Sequence, residues 1–198
     1  LRMSRGLGDV YKRQVYAEDF NKNALSVFGY DPTADDILLV KEALKRARTL
    51  MIYRVNSGGK KATATVGGVT VTAACGGTRG NAISVAILTN ADNATNVDVV
   101  TYLDGMVMDS QTVAKATGSA NLKANDFVTF GSASSLTPAV ATPLTGGTNG
   151  TVNGAAHTAA LNAFEVESFN VVGYPGTDEE IKSLYATFVT VSYTHLTL

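Results

Sequence analysis

The chain has 198 residues, 45% of them hydrophobic, with 16 basic and 17 acidic side chains and a net charge of −1. That allows one or two domains with enough core to need no metal, and the single cysteine, Cys75, excludes an internal disulfide. No run is apolar and long enough to span a membrane and no signal-peptide pattern is present, so a soluble protein made in the cytoplasm is expected.

Residues 1–14 and 191–198 do not fit the patterns beside them. They read as translated sequencing-adapter sequence at the ends of an internal piece of a longer chain, and no packed role is expected for either. The first segment carries Arg2, Arg5, Lys12 and Arg13 against Asp9, so residues 15–190 hold a net charge of −4. A nucleic-acid partner then lacks the basic patch that phosphate binding needs.

Residues 15–28 carry little pattern. Thr33 is placed to cap a helix with Asp35 and Asp36 in its first turn and Lys41, Lys45, Arg46 and Arg48 toward its end, as the helix dipole favours. Ile37, Val40, Leu44, Ala47 and Met51 give it one apolar face, and the basic groups read as a solvated face. A strand is predicted at 50–55 and a polar linker at 56–61, completing a helix-strand segment over 15–60.

Six strands follow at 62–66, 69–75, 82–89, 97–103, 106–113 and 127–131, with one helical turn at 119–125. Gly67-Gly68 and Asp104-Gly105 are two-residue hairpin signals. Between the second and third strands lies Gly76-Gly77-Thr78-Arg79-Gly80-Asn81, whose glycines suit a wide turn or bulge. A phosphate loop would need a helix directly after the glycines, and a strand follows instead. Arg79 is expected to fix the turn by bonding a carbonyl or carboxylate, and Cys75 to continue the buried face of Val69, Val71 and Ala73. Short strands at this spacing argue for a β-sandwich over 61–142.

Residues 143–154 read as a glycine-rich linker, followed by a helix at 156–166, a buried strand at 169–174 and a helix opened by a capping box at Thr177-Asp178-Glu179-Glu180. Ile181, Leu184, Tyr185 and Phe188 form that last helix's apolar face. The succession opens an α/β domain over 155–190 that the chain does not complete.

No catalytic, cofactor-binding or metal-binding set emerges. His157 reads as a surface residue at a helix start, and Glu165 and Glu167 would point about 200° apart on a helix. No His, Cys or carboxylate group has metal-ligand spacing, and the connector glycines follow no strand as a dinucleotide fingerprint requires. The sequons at Asn93 and Asn149 read as chance in a chain without a secretory signal.

Taken in order, the run Leu38 to Ala47 into Met51-Ile52-Tyr53-Arg54, the turn at 76–81, the pair Val100 to Gly105 and the stretch Pro143 to Val152 resemble the tail sheath proteins of contractile-tailed phages, prophages and phage-like bacteriocins. The resemblance implies an α+β fold: an antiparallel β-sandwich inserted next to an incomplete α/β domain of subtilisin-like topology, without a protease triad. It implies a non-enzymatic role as a virion sheath subunit, assembled in the bacterial cytoplasm. The implied partners are its own copies in hexameric rings and a helical sheath, the tail tube protein, and baseplate and tail terminator proteins. No nucleic acid, membrane insertion or cofactor is implied. Two other readings stay open: an adhesive or carbohydrate-binding β-sandwich, and an enzyme whose catalytic residues lie beyond residue 190.

Overall fold

Among the described residues main-chain pairing begins at Lys12, where β1 (Lys12–Tyr16) runs antiparallel to β2 (Thr49–Tyr53) with Val15 opposite Leu50. The computed structural model describes residues 12–56 and 58–195. The expectation that the first fourteen residues have no packed role is therefore corrected for residues 12–14, while 1–11 lie outside the described residues. A ladder is built from main-chain groups, so an extended segment beside β2 can be taken up whatever its side chains. At the other end the last helix runs to His195, through part of the segment set aside as artefact.

Between these strands lie α1 (Phe20–Phe28) and α2 (Leu38–Leu44). Gly29, at φ 76°, ends α1 and donates its N–H to the Leu25 carbonyl at 2.9 Å, a left-handed C-terminal cap. Thr33 is not the N-cap of α2: its N–H and hydroxyl both donate to Asp31 Oδ1, at 2.9 and 2.5 Å. Those two bonds hold the Asp31 carboxyl below its ordinary value. A 3-10 turn over Asp35–Ile37 intervenes, and α2 is shorter than its apolar pattern suggested because Met51 already belongs to β2. Val15, Phe20, Ala24, Ile37 and Leu44 make a buried core. They belong with the helices α3 (Gly154–Glu165) and α4 (Glu179–His195) to a unit composed of Val10–Ser57 and Thr151–Leu198.

The second unit, Gly58–Gly150, is the insertion, a β-sandwich-type domain. One sheet has the order β3 (Lys61–Val66), β4 (Val69–Gly76), β8 (Val128–Phe130). The other has the order β7 (Met106–Ala114), β6 (Asn96–Leu103), β5 (Ile83–Thr89), β9 (Ala139–Pro143), and every pairing is antiparallel. Both hairpin signals become hairpins: Gly67 and Gly68 sit at φ 52° and 93°, Asp104 and Gly105 at 51° and 79°. A Cβ on Gly67 would lie 2.1 Å from the Thr137 carbonyl oxygen and 2.8 Å from Ile87 Cδ1 of the facing sheet, so this turn needs glycine for space as well as for φ. Val66, Val69, Val71 and Val128 from one sheet and Val85, Ile87, Val97, Val99 and Leu103 from the other are buried.

Four expectations change here. Cys75 is exposed, because the β3–β4 register shifts between Lys61 and Thr63 and the bulge turns Cys75 outward while Gly76 takes the inside position. The linker at 143–154 is part of the sandwich up to Gly150: Leu144 is fully buried and donates its N–H to the Ile83 carbonyl at 2.9 Å, and Thr145 exchanges two bonds with Thr63. Likewise Lys60, assigned to the polar linker, is bridged to Thr148. The stretch at 119–125 turns only over 119–121 and then runs irregularly to Asn125, whose side-chain oxygen accepts from the N–H groups of Phe127 and Val128 at 2.9 and 2.8 Å.

Candidate functional site

The glycine turn is held from two sides. Arg79 donates from both terminal nitrogens to the two carboxylate oxygens of Asp104, at 3.0 and 2.5 Å, joining this turn to the β6–β7 hairpin. Asn81 donates to the Gly147 carbonyl at 3.0 Å and accepts the Gly147 N–H at 2.8 Å, as a strand neighbour would. Such fork-to-fork pairing fixes orientation as well as distance. Gly80 is buried between Ala62 and Ala73, both 3.1 Å from where its Cβ would be. The expectation that Arg79 serves the turn thus meets a carboxylate partner.

In the other unit, His157 is buried, contrary to its expected surface role. Asn153 takes the capping position, its side chain accepting the Ala156 N–H at 3.0 Å, and His157 lies one turn further in. Its ring meets Tyr174 and Tyr185 edge-on at centroid distances of 5.3 and 5.8 Å, and Nδ1 lies 3.3 Å from the Tyr185 hydroxyl. Burial first, then the neighbouring Tyr174, push the Tyr185 hydroxyl above its usual value. Asp178, rather than Thr177, caps α4 by accepting the N–H groups of Glu180 and Ile181. Glu167 pairs with Lys12 at 2.5 Å.

The predicted strand at 169–174 does not form. These residues take no regular structure, with a bend at Asn170, they have no strand partner among the described residues, and Val171 is 84% exposed. A run of apolar residues becomes a strand only when a neighbour supplies the ladder.

Among the described residues no cluster of His, Cys, Asp or Glu could hold a metal ion, and no helix is long and apolar enough to cross a membrane. Arg79, Asp104, Asn81 and His157 are all engaged in holding the fold. The chemistry on offer is that of a shaped, hydrogen-bonded body with strand edges.

Residues 57–149 match the phage tail sheath protein beta-sandwich domain, and residues 14–55 match the domain III N-terminal region of the tail sheath protein Gp18. The chain belongs to the phage tail sheath family. Two relatives extend the match. The phage-like element PBSX protein XkdK of Bacillus subtilis is 35% identical over 192 residues, and the uncharacterized protein YqbK of the same organism is 36% identical over 193. Each alignment takes in 87% of this sheath chain and 40% of the relative. A crystal structure of a sheath tail protein from Desulfitobacterium hafniense, 35% identical, superposes with a TM-score of 0.81 over 95% of this chain and 47% of its own. One from Listeria innocua, 32% identical, gives 0.76 over 90% and 40%. The chain thus spans less than half the length of these relatives.

Proposed function

We propose that this chain is the sandwich-bearing part of a structural subunit of a contractile phage-type tail sheath. In this reading the subunit polymerises with its own copies around a tail tube, and contraction drives the tube through the host envelope. The observation that carries it is that the match to sheath tail proteins of known structure runs through both units at 32–35% identity. The insertion is stiffened as a sheath subunit requires: its turns are locked by Arg79–Asp104 and by Asn81 with Gly147, so the body can move without changing shape. A carbohydrate-binding sandwich would display aromatic rings, whereas Tyr102, Phe127 and Phe130 are each half-buried.

On this reading the protein has no catalytic role, resides in the virion tail, and is joined by strand addition between subunits. Expressing the full-length gene product with its tube protein should yield hollow cylinders by electron microscopy. A well-behaved full-length monomer that binds glycans or hydrolyses a substrate would refute the assignment.

A further inference from the structure

Asparagine is followed by glycine at Asn149-Gly150 and again at Asn153-Gly154. This pairing has a chemistry of its own. The main-chain nitrogen after an asparagine can add to the side-chain carbonyl carbon and expel ammonia, closing a succinimide ring, and a glycine there has no Cβ to hinder the approach. The reaction runs where that nitrogen is uncommitted and the asparagine is able to turn its side chain back onto it.

The two sites differ on both counts. Asn153 is the N-cap of α3, with ψ at 175°: its side chain accepts the Ala156 N–H at 3.0 Å, and its carbonyl accepts from Ala156 and His157 at 3.1 and 3.2 Å. Ring closure there must strip the cap and rotate a peptide that the helix already holds. Asn149 is exposed, and neither it nor Gly150 belongs to a helix or strand. Among the described residues no backbone carbonyl takes up the Gly150 N–H. The Asn149 side chain meets one donor, the Thr78 N–H, at 3.2 Å from Oδ1. Oδ1 is the atom that gains negative charge when a nitrogen adds to Cγ, so this N–H stands where an oxyanion-hole donor would. The donor is itself fixed, because Thr78 opens the turn that Arg79 and Asn81 lock.

We infer that Asn149 is a site of spontaneous deamidation, with the Gly150 nitrogen as nucleophile and the Thr78 N–H as stabilising donor. The nitrogen gives its proton to a solvent base and bonds to Cγ, the Cγ–Nδ2 bond breaks, and ammonia leaves with a proton from water. Water then adds to one succinimide carbonyl. Breaking the Cγ–N bond gives aspartate, and breaking the bond from the main-chain carbonyl carbon gives isoaspartate. Nothing is oxidised or reduced, and water is the one co-reactant. Either product adds a negative charge, and isoaspartate also puts a methylene into the main chain directly after Thr148, where the inserted unit is closed by the bridge to Lys60. The reaction needs no partner and no assembly.

The test incubates the 198-residue chain at mildly acidic and mildly alkaline pH, natively and in guanidinium chloride. Mass spectrometry follows the peptides holding residues 149 and 153, and enzymatic methylation counts isoaspartate. In the folded chain Asn149 should convert about tenfold or more faster than capped Asn153, with a rate that rises with pH because the nitrogen must lose its proton. In guanidinium the two rates should converge, with Asn149 no faster than in the folded chain. Gly150 is outside the left-handed region, so alanine suits its backbone, and Gly150→Ala should slow Asn149 by about tenfold in both states. A folded-state rate at Asn149 no greater than at Asn153, or below its rate in guanidinium, overturns the inference. So does an unchanged rate in Gly150→Ala, which assigns the loss of ammonia to direct hydrolysis.

Discussion

Replacing Gly76 by alanine asks whether the inward position at the end of β4 is limited by space. A Cβ built there lies 2.3 Å from the Gly59 carbonyl oxygen and 2.9 Å from its carbon, below the 3.0 Å that real Cβ atoms respect. Both neighbours are backbone, so no side chain can swing away and the two segments must move apart. Gly76 is not in the left-handed region, so the whole effect is steric. Overpacking of this kind costs about 1–3 kcal/mol, and a rigid backbone neighbour puts Gly76→Ala near 3. Gly105→Ala is the control: φ is 79° and nothing lies within 4 Å, so only the conformational penalty of about 1 kcal/mol applies. At roughly 4–8 °C per kcal/mol for a domain of this size, circular dichroism should separate the two variants by about 10 °C in the melting of the sandwich. A Gly76→Ala variant as stable as Gly105→Ala would show that the bulge does not hold Gly76 against Gly59.

The same bulge turns Cys75 outward, so a thiol reagent should label it rapidly in the native protein, and Cys75→Ser should change stability by no more than about 0.5 kcal/mol. Arg79→Ala and Asp104→Asn, measured singly and together by chemical denaturation, should show a coupling of about 0.5–1 kcal/mol, modest because Asp104 is half exposed. That coupling should not respond to added phosphate, since the arginine is committed to the carboxylate. Tyr185 carries a raised value in the fold, so its contribution is intact below the ordinary tyrosine range and lost as pH climbs through the raised one. The stability of the parent should therefore fall faster with pH between those two values than that of Tyr185→Phe, as chemical denaturation at a series of pH values would show.

Much of the sandwich was legible because its cues are local. Gly67-Gly68 and Asp104-Gly105 announce hairpins through φ alone, and the alternation of Val69, Val71 and Ala73 marks a buried face. Cys75 defeated that rule because a bulge resets the alternation, and nothing in the two-residue period records where the extra residues lie. β9 was missed since Val140 is 82% exposed and the strand has no apolar face; it is secured by Leu136 and Leu144 just outside it. α1 could have been read from Phe20 and Ala24 one turn apart and Gly29 past its end. His157 could not, because its burial depends on Tyr174 and Tyr185, residues distant in sequence that meet it only once the chain is folded.

The ends of the inserted unit meet: Lys60 is bridged to Thr148, and Gly59 lies against Gly150. To the surrounding unit the folded sandwich is therefore a loop already closed. If it melts, the flanking segments must hold together the ends of a flexible stretch running from Gly58 to Gly150, an entropic penalty of roughly 4 kcal/mol. That penalty falls on the unit that has not unfolded. The stability of one unit is thereby tied to the order of the other through chain connectivity, and lesions in the sandwich should loosen the helices.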